Sequence, residues 1–236
     1  MISFKIIDPD NCGRLNHLEY FASLEAPHLS ITASVDVTDL VSFCRLEKAS
    51  FFLAFLHCTA LAADSIPAFR QRIHRLSEDE LHSGLHTGAF TSGPLSGCEI
   101  REYAECPTSH TEDSGNGLYC YCTVNHHMPW HTYMTSAAEL QRKAREAATI
   151  DEDSDVEAYL FCSCIPWIHY SSITNPFKDR FDTNPRISWG KYEEDFRGRL
   201  MMPLTVAAHH GLVDGIRIAD FFAETEKNIR RIVSGE

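Results

Sequence analysis

The chain has 236 residues, of which 44% are hydrophobic, enough for a buried core in one large domain or two small ones. Its 21 basic and 33 acidic side chains give a net charge of −12, which repels a phosphate backbone and argues against general nucleic-acid binding. The sequence shows no signal or transit peptide and no run of about 18 apolar residues, so we expect a cytoplasmic protein that does not enter a membrane.

Nine cysteines and 13 histidines raise the question of disulfides or a metal. The close cysteine pairs, Cys120/Cys122 and Cys162/Cys164, lie in apolar alternating segments, where their spacing puts both sulfurs on one face of a strand. This is typical of reduced cysteines that pack as small residues. No histidine lies in an H-E-x-x-H motif or joins a C-x-x-C pair, and we therefore expect no metal.

The first half of the chain predicts strands around one buried helix. Residues 29–37 alternate between apolar and polar, which indicates a half-buried strand. Ser50 can cap the following segment, 51–65, which is apolar on nearly every side and predicts a buried helix. Two further strands are predicted at 68–73 and 99–106.

Between these two strands, residues 74–98 are polar and rich in Gly and Ser, and we interpret them as a surface insertion. The insertion either reshapes a neighbouring pocket or lies in solvent. It carries His74, His82 and His86, but no cysteine or paired-carboxylate pattern accompanies them, so a metal site is not predicted there.

The second half mixes strands and helices without a strict βαβ alternation. It predicts, in order, a strand at 118–124, a helix at 137–148, a solvated acidic connector at 151–157, apolar buried strands at 158–167 and 199–210, and a C-terminal helix whose apolar face carries Ile218, Phe221, Phe222, Ile229 and Ile232. No repeat or linker divides the chain. We therefore predict a single domain, 1–236, of the α+β class with a mixed β-sheet flanked by helices.

Chemistry concentrates in the sequence AAHHGLVDG at 207–215. His209 and His210 end a strand, and because side chains alternate there, only one of them can point into a given cleft. A histidine side chain titrates near neutral pH and can act as a general base. Asp214 follows one turn later. Taken alone, these residues fit either a catalytic base or a turn stabilised by buried histidines.

The pattern H-H-x-x-x-D-G resembles the signature shared by chloramphenicol acetyltransferases, dihydrolipoyl acyltransferases and peptide-synthetase condensation domains. Condensation domains are much longer, and dihydrolipoyl cores usually carry an acidic residue where His209 stands. The chain is most similar to the chloramphenicol acetyltransferase family, whose CoA-dependent acyltransferase fold it is then expected to share. Other segments support this resemblance: RLNHLEYF at 14–21, VDVTDL at 35–40, FFLAFLHCTALAADSIPAFRQRI at 51–73, CSCIPW at 162–167 and SWGKY at 188–192.

The resemblance implies a catalytic role for four residues. His210 would be the general base that takes a proton from a substrate hydroxyl, which then attacks the thioester carbonyl of acetyl-CoA directly, without an acyl-enzyme. Ser163 would donate a hydrogen bond to the oxyanion; without the resemblance, a hydroxyl bonded to backbone is the alternative. Asp214 and Arg14 would form a buried ion pair that braces the histidine-bearing turn.

The resemblance also assigns binding residues. Ser188 takes the place of a threonine that orients a water near the intermediate. Trp167 would line the pantetheine path, and Lys191 and Tyr192 would lie near the CoA phosphates and adenine; each is otherwise an ordinary core or surface residue.

Tyr20, Phe21 and Leu29 fall on positions that line the acceptor pocket in the family, although they also fit an ordinary core. Family members are trimers with the active site between subunits, so a homotrimer is expected. The implied function is transfer of the acetyl group of acetyl-CoA to a hydroxyl of chloramphenicol, which gives antibiotic resistance. The alternatives are the same chemistry on another small-molecule hydroxyl acceptor, or a non-catalytic trimeric binding protein of this fold.

Overall fold

The computed structural model describes residues 2–8, 13–83, 86, 88–115, 117–150 and 155–235. The strands are β1 (Phe4–Ile7), β2 (His28–Asp36), β3 (Gln71–Arg75), β4 (Cys98–Tyr103), β5 (Thr108–Gly115), β6 (Leu118–Val124), β7 (Leu160–Ile165), β8 (Arg186–Gly190), β9 (Glu193–Glu194) and β10 (Leu200–His209). The helices are α1 (Leu15–Ala22), α2 (Thr38–Glu47), α3 (Phe51–Asp64), α4 (Glu78–His82), α5 (Trp130–Ala147) and α6 (Gly215–Ser234).

The strands form one large sheet and one small sheet. In the large sheet the order is β2-β10-β8-β7-β5-β6, with β9 beside β10, and β7 runs parallel to both of its neighbours while the other pairs are antiparallel. The small sheet is β1-β4-β3. The predicted class, a mixed sheet flanked by helices, is therefore confirmed.

Helices α3 and α6 pack together and cover one face of the large sheet. The Ser50 hydroxyl accepts the Leu53 N–H and so starts α3, as predicted. Leu204 and Val206 of β10 are fully buried and belong to the same hydrophobic core as Phe221 of α6. The predicted apolar face of the C-terminal helix is confirmed, because its other four apolar residues also lie in or against this core.

The opposite face of the sheet is covered by the irregular segment between β7 and β8. The Tyr170 hydroxyl donates to the carbonyl oxygen of Ser188 at 2.9 Å, and the ring of Phe177 stacks on His28 of β2 with centroids 3.6 Å apart. Because strand side chains alternate, the residues on this face are those that the helices do not contact. This face carries the polar residues described below.

The structure differs from the sequence predictions at several elements, and the helix predicted at 137–148 begins at Trp130 and ends at Ala147. Strand β5 was not predicted, because its sequence TSHTEDSG is polar even though its first residues are buried inside the sheet. The strand predicted at 68–73 begins only at Gln71, since Pro67 starts a single 3₁₀ turn before it. The strand predicted at 99–106 ends at Tyr103, before Pro107.

The predicted insertion leaves the small sheet between β3 and β4. A capping box made by Ser77 and Glu80 starts α4, and Phe90 and Leu95 are buried in the core. The described part of the insertion is thus anchored to the domain, while residues 84, 85 and 87 lie outside the described residues, as do residues 151–154 of the acidic connector. In the described parts of the chain, no helix has both the length and the apolarity that crossing a bilayer requires.

Candidate active site

The turn that follows β10 holds His210 in one orientation. Its backbone N–H donates to the carbonyl of Pro27 at 2.8 Å, and its Nδ1 lies 3.2 Å from the carbonyl oxygen of Val213. A carbonyl oxygen only accepts, so in the neutral imidazole Nδ1 carries the proton and Nε2 keeps its lone pair. The ring stacks on Phe21 with centroids 4.1 Å apart. The imidazole is thereby prepared to accept a proton at Nε2.

His209 has a different environment, although it is the adjacent residue. It is 1% exposed, and its Nδ1 accepts the N–H of Gly211 at 3.1 Å. Burial, together with the nearby imidazoles of His28 and His210, lowers the pKa of His209 to about 3. His209 is therefore neutral at physiological pH and packs inside the fold.

Arg14 and Asp214 meet as predicted, with Nη1 and Oδ2 3.4 Å apart. The expectation that the pair is buried is wrong, because the two side chains are 24% and 37% exposed and lie where α1 and α6 begin at the surface. Arg14 Nη1 also donates to the carbonyl of Leu212 at 2.9 Å, and Asp214 Oδ1 accepts the Arg217 N–H at 3.1 Å as the cap of α6. The pair thus connects the turn that holds His210 to the first residues of α1 and of α6.

Electrostatics favour the ionised form of Asp214. Partial burial pushes its pKa up, but the hydrogen bond from the Arg217 N–H and the charge of Arg14 outweigh that effect, so the pKa lies below its usual value. The Asp214 carboxylate is therefore charged at neutral pH in the folded chain.

A row of hydroxyls crosses the middle of the sheet on the face opposite the helices. The register pairs Ser163 of β7 with Ser188 of β8, Ser188 with Thr205 of β10, and Thr205 with Thr32 of β2. Thr32 Oγ1 and Thr205 Oγ1 are 2.7 Å apart, and the Tyr170 hydroxyl is 3.2 Å from Thr205 Oγ1. Neighbouring residues in register share a face, so these hydroxyls point the same way.

Ser188 is 1% exposed, and its hydroxyl donates to Asn175 Oδ1 at 2.9 Å. Its one proton is therefore committed to Asn175. The Nδ2 of the same amide is buried and has no hydrogen-bond partner among the described residues.

Two cavities meet at Ser163. One, of about 1280 Å³, is lined by Ser163, Trp167, Lys191 and Tyr192, the residues predicted to hold CoA together with the predicted oxyanion donor. The other, of about 600 Å³, is lined by Ser163, Ser188 and Asn175. Trp167 is 81% exposed at the mouth of the larger cavity. Ser163 is thus the place where a ligand in one cavity can reach a ligand in the other.

The predicted residues separate into two groups. We call one the histidine half: Arg14, Tyr20, Phe21, Leu29, His210 and Asp214. We call the other the serine half: Ser163, Trp167, Ser188, Lys191 and Tyr192.

The histidine half is held together by local contacts. Phe21 contacts both Tyr20, at a centroid distance of 5.2 Å, and His210, while Leu29 pairs with Ala208 two residues before His210. Tyr20 is 62% exposed. This half therefore presents an apolar surface beside the imidazole.

The two halves do not meet within one chain. Thr205 lies in the hydroxyl row, and His210 follows it by five residues, directly after the end of β10, a separation of about 17 Å in extended backbone. In a single copy, the side chains of His210 and Ser163 are therefore too far apart to contact the same reacting carbonyl group.

The cysteines near Ser163 are not nucleophiles. Burial raises the pKa of Cys164 to about 12 and that of Cys162 further. All eight cysteines in the described ranges are free thiols, in agreement with the prediction that they pack in reduced form.

Sequence reasoning missed the polar partners of the serine half. Thr205 sits in an apolar run, TVAAHH, and only the strand register shows that it continues the hydroxyl row. Asn175 and Tyr170 lie in an irregular segment with no periodic pattern that could have marked them. It also missed the cluster of Asp64, His126 and His127, which is described below.

The strand order of the large sheet and the helices on one of its faces define the fold class of the chain. The fold is the one shared by chloramphenicol acetyltransferase and the acyltransferase cores of 2-oxoacid dehydrogenase complexes. A solved chloramphenicol acetyltransferase aligns with a TM-score of 0.76 and 24% identity over 96% of this chain and 100% of that one. The cubic core of a pyruvate dehydrogenase complex aligns with a TM-score of 0.61 and 17% identity over 93% and 88%.

Sequence comparison leads to more particular relatives. The chain is 23% identical to chloramphenicol acetyltransferase 3 of Escherichia coli over 93% of its own length and 94% of the relative's. It is 20% identical to the Clostridium perfringens chloramphenicol acetyltransferase over 96% and 94%. No family model matches the sequence. The resemblance inferred from the motifs is confirmed, and the relatives are acyltransferases.

Proposed function

We propose that the protein is an acetyl-CoA-dependent O-acetyltransferase that acts on a hydroxyl of chloramphenicol. The observation that carries this proposal is the orientation of His210, whose Nδ1–H is held by the Val213 carbonyl so that Nε2 is available as a base. The names of the relatives support the choice of the transferred acetyl group and of the acceptor. We place the activity in the cytoplasm, where acetylation of the antibiotic gives resistance.

In this mechanism the acceptor hydroxyl loses its proton to His210 Nε2 while its oxygen attacks the thioester carbonyl of acetyl-CoA. The carbonyl oxygen becomes an oxyanion, which accepts a hydrogen bond from the Ser163 hydroxyl. The intermediate collapses, the C–S bond breaks, and the proton on His210 passes to the leaving thiolate. No acyl-enzyme forms, in keeping with the raised pKa of Cys164.

The larger cavity suits the CoA portion of the donor. Its lining combines the exposed ring of Trp167 with the cationic side chain of Lys191, which can contact phosphates, while Arg145 in the same cavity pairs with Glu112 at 3.1 Å. The smaller cavity, on the other side of Ser163, leads toward Ser188 and Asn175. This arrangement supports a thioester placed beside the Ser163 hydroxyl.

The active site is completed between two copies of the chain. The histidine half lies about 17 Å from the hydroxyl row of its own chain, so His210 of one copy must face the serine half of another. Every copy carries both halves, and a head-to-tail contact of this kind forms a closed ring when its rotation is a whole fraction of a turn. We propose a homotrimer, as the resemblance implies, with the apolar Tyr20, Phe21 and Leu29 lining the acceptor side.

The test is release of CoA from acetyl-CoA with and without chloramphenicol. Release that depends on chloramphenicol supports the proposal. Release only with another hydroxyl compound keeps the chemistry and changes the acceptor. If no acceptor promotes release, the chain is a binding protein of this fold and the proposal is wrong.

Mixed assemblies test the shared site directly. His210→Ala and Ser163→Ala chains, unfolded together and refolded as mixed oligomers, should regain activity, because some interfaces then pair an intact histidine half with an intact serine half. Each variant refolded alone is the control. Mixed assemblies no more active than the controls contradict a site between copies, whereas light scattering that reports a monomer contradicts the trimer.

A further inference from the structure

A cluster of metal-binding side chains lies where α3 ends, away from both halves of the site. Asp64 is the last residue of α3, and His126 and His127 lie in the link between β6 and α5. One ligand atom from each residue lies within 4.8 Å of the others. Ser50 and Phe51, at the opposite end of α3, line the large cavity, about 20 Å away along the helix.

The local backbone brings two consecutive imidazoles to the same side. In a strand they would point to opposite faces. Here the His127 N–H donates to Asn125 Oδ1 at 2.8 Å and the Met128 N–H donates to the His126 carbonyl at 2.9 Å, which makes a compact turn. The two rings consequently lie with centroids 4.5 Å apart.

Asp64 offers one oxygen to the cluster. Its Oδ1 accepts the N–H of Cys106 at 3.0 Å, which fixes the carboxylate, and its Oδ2 faces both imidazoles. A hydrogen-bonded second oxygen is the usual way in which a ligating carboxylate is oriented. His127 Nε2 contacts Oδ2 directly, and its side chain is 43% exposed.

His126 provides the independent observation that points to a ligand. It is 1% exposed, and neither of its ring nitrogens has a hydrogen-bond partner among the described residues. A buried imidazole without a hydrogen bond is unfavourable, and the contact of Nε2 with Asp64 leaves Nδ1 unsatisfied, so one expects another group to bind here. Its Nε2 is 3.4 Å from Asp64 Oδ2, which is about the separation of two ligands on a tetrahedral ion with bonds near 2.1 Å.

We infer that Asp64, His126 and His127 form a binding site for a divalent transition-metal ion of the Zn²⁺ class. Two imidazole nitrogens and one carboxylate oxygen are donors that such an ion prefers, and water completes the tetrahedron. The exposed ring of His127 withdraws slightly from Asp64 to admit the ion. The entry path is the surface cavity that His127 lines together with Glu105.

The ion would act on stability and not on acyl transfer. It would join the end of α3 to the link that precedes α5, two segments far apart in the sequence. A ligand that binds only the folded state stabilises it. At a concentration 100 times the dissociation constant, we expect the melting temperature to rise by about 5–10 °C.

Cobalt provides the test. Protein treated with a chelator and dialysed is titrated with Co²⁺, and visible d–d absorption is followed while bound metal per chain is measured. We expect one Co²⁺ per chain, displaced by Zn²⁺, with a spectrum that lacks the intense charge-transfer band of a thiolate ligand. A thiolate band, or no stoichiometric binding, overturns the proposal.

Variants assign the ligands. His127→Ala removes a partly exposed side chain, and Asp64→Asn keeps an acceptor for the Cys106 N–H, so both are expected to fold. Each should weaken Co²⁺ binding by at least about tenfold and abolish the metal-dependent rise in melting temperature. His131→Ala, which changes an exposed histidine at the start of α5, is the matched control and should bind as the parent does. Equal binding by all three variants overturns the proposal.

Discussion

The histidine half and the serine half are built by different means. The histidine half is local: Asp214, Val213 and His210 follow one another in a single turn, and Arg14 and Phe21 are added by one helix. The serine half depends on strand pairing, since Ser163 and Ser188 come from strands β7 and β8, which become neighbours only in the folded sheet. A base can therefore be oriented by a short turn, whereas a pair of cavities that meet at one hydroxyl needs the whole sheet.

A substitution in the histidine half should have the largest single effect on turnover. His210→Ala removes the base, and we expect kcat to fall by about 10²–10⁴-fold while the fold is kept. Steady-state kinetics measure the loss, and circular dichroism checks the fold. His82→Ala, which changes an exposed histidine whose Nδ1 donates to the Glu78 carbonyl, is the control. A His210→Ala protein that keeps most of its rate would show that the base lies elsewhere.

Ser163→Ala tests the serine half and should have the next largest effect. Losing one donor to an oxyanion lowers kcat by about 10²–10³-fold, because the interaction is made chiefly in the transition state. The KM values should change little. If instead KM rises and kcat is kept, Ser163 binds substrate in the ground state. Ser92→Ala, in an exposed turn of the insertion, is the matched control.

The features that could be predicted from the sequence are the local ones, as in the histidine half. His210, Asp214 and Arg14 were predictable because the motif is contiguous and the resemblance supplied the arginine, and the structure places them together. The burial of α3 and the apolar face of α6 were predictable from periodicity. In each case the signal lies within a short stretch of chain.

The remaining features depend on contacts between distant segments. The polar strand β5 has no apolar alternation, and it is a strand because it lies between β6 and β7. Asn175 contacts Ser188 from an irregular segment, and Asp64 meets two histidines that lie 62 and 63 positions after it in the sequence. Sequence periodicity does not report such pairings.

Substitution of His209 should change the stability of the fold, whereas substitution of His210 should change the reaction rate. Its pKa is about 3 in the folded chain against an ordinary 6.5, so the unfolded chain binds more protons between these values. Stability contributed by the neutral imidazole is present above about pH 6.5 and is lost as the pH falls. Between pH 8 and pH 5 we expect a loss of about 2 kcal/mol from this residue.

Urea denaturation at the two pH values measures this loss. His209→Asn retains an acceptor for the Gly211 N–H and removes the titration, so its stability should depend less on pH by about 2 kcal/mol. His82→Ala should leave the pH dependence as it is in the parent. An unchanged pH dependence in His209→Asn would mean that this imidazole has the same pKa in the folded and the unfolded chain.

Substitution of Asp214 should have the smallest effect on stability. Two variants separate its roles as the cap of α6 and as the ion-pair partner of Arg14. Asparagine is as good a helix cap as aspartate but lacks the charge that pairs with Arg14, whereas alanine lacks both. Because the ion pair is partly exposed, we expect Asp214→Asn to lose only a few tenths of a kcal/mol and Asp214→Ala about 1 kcal/mol, measured by urea denaturation. Arg14 still donates to the Leu212 carbonyl in both variants, which limits the loss of turnover.

Equal losses in the two variants would mean that the ion pair, and not the cap, holds the turn. In that case stability should also fall with added salt, and with falling pH as the carboxylate, whose folded pKa is lowered, becomes protonated.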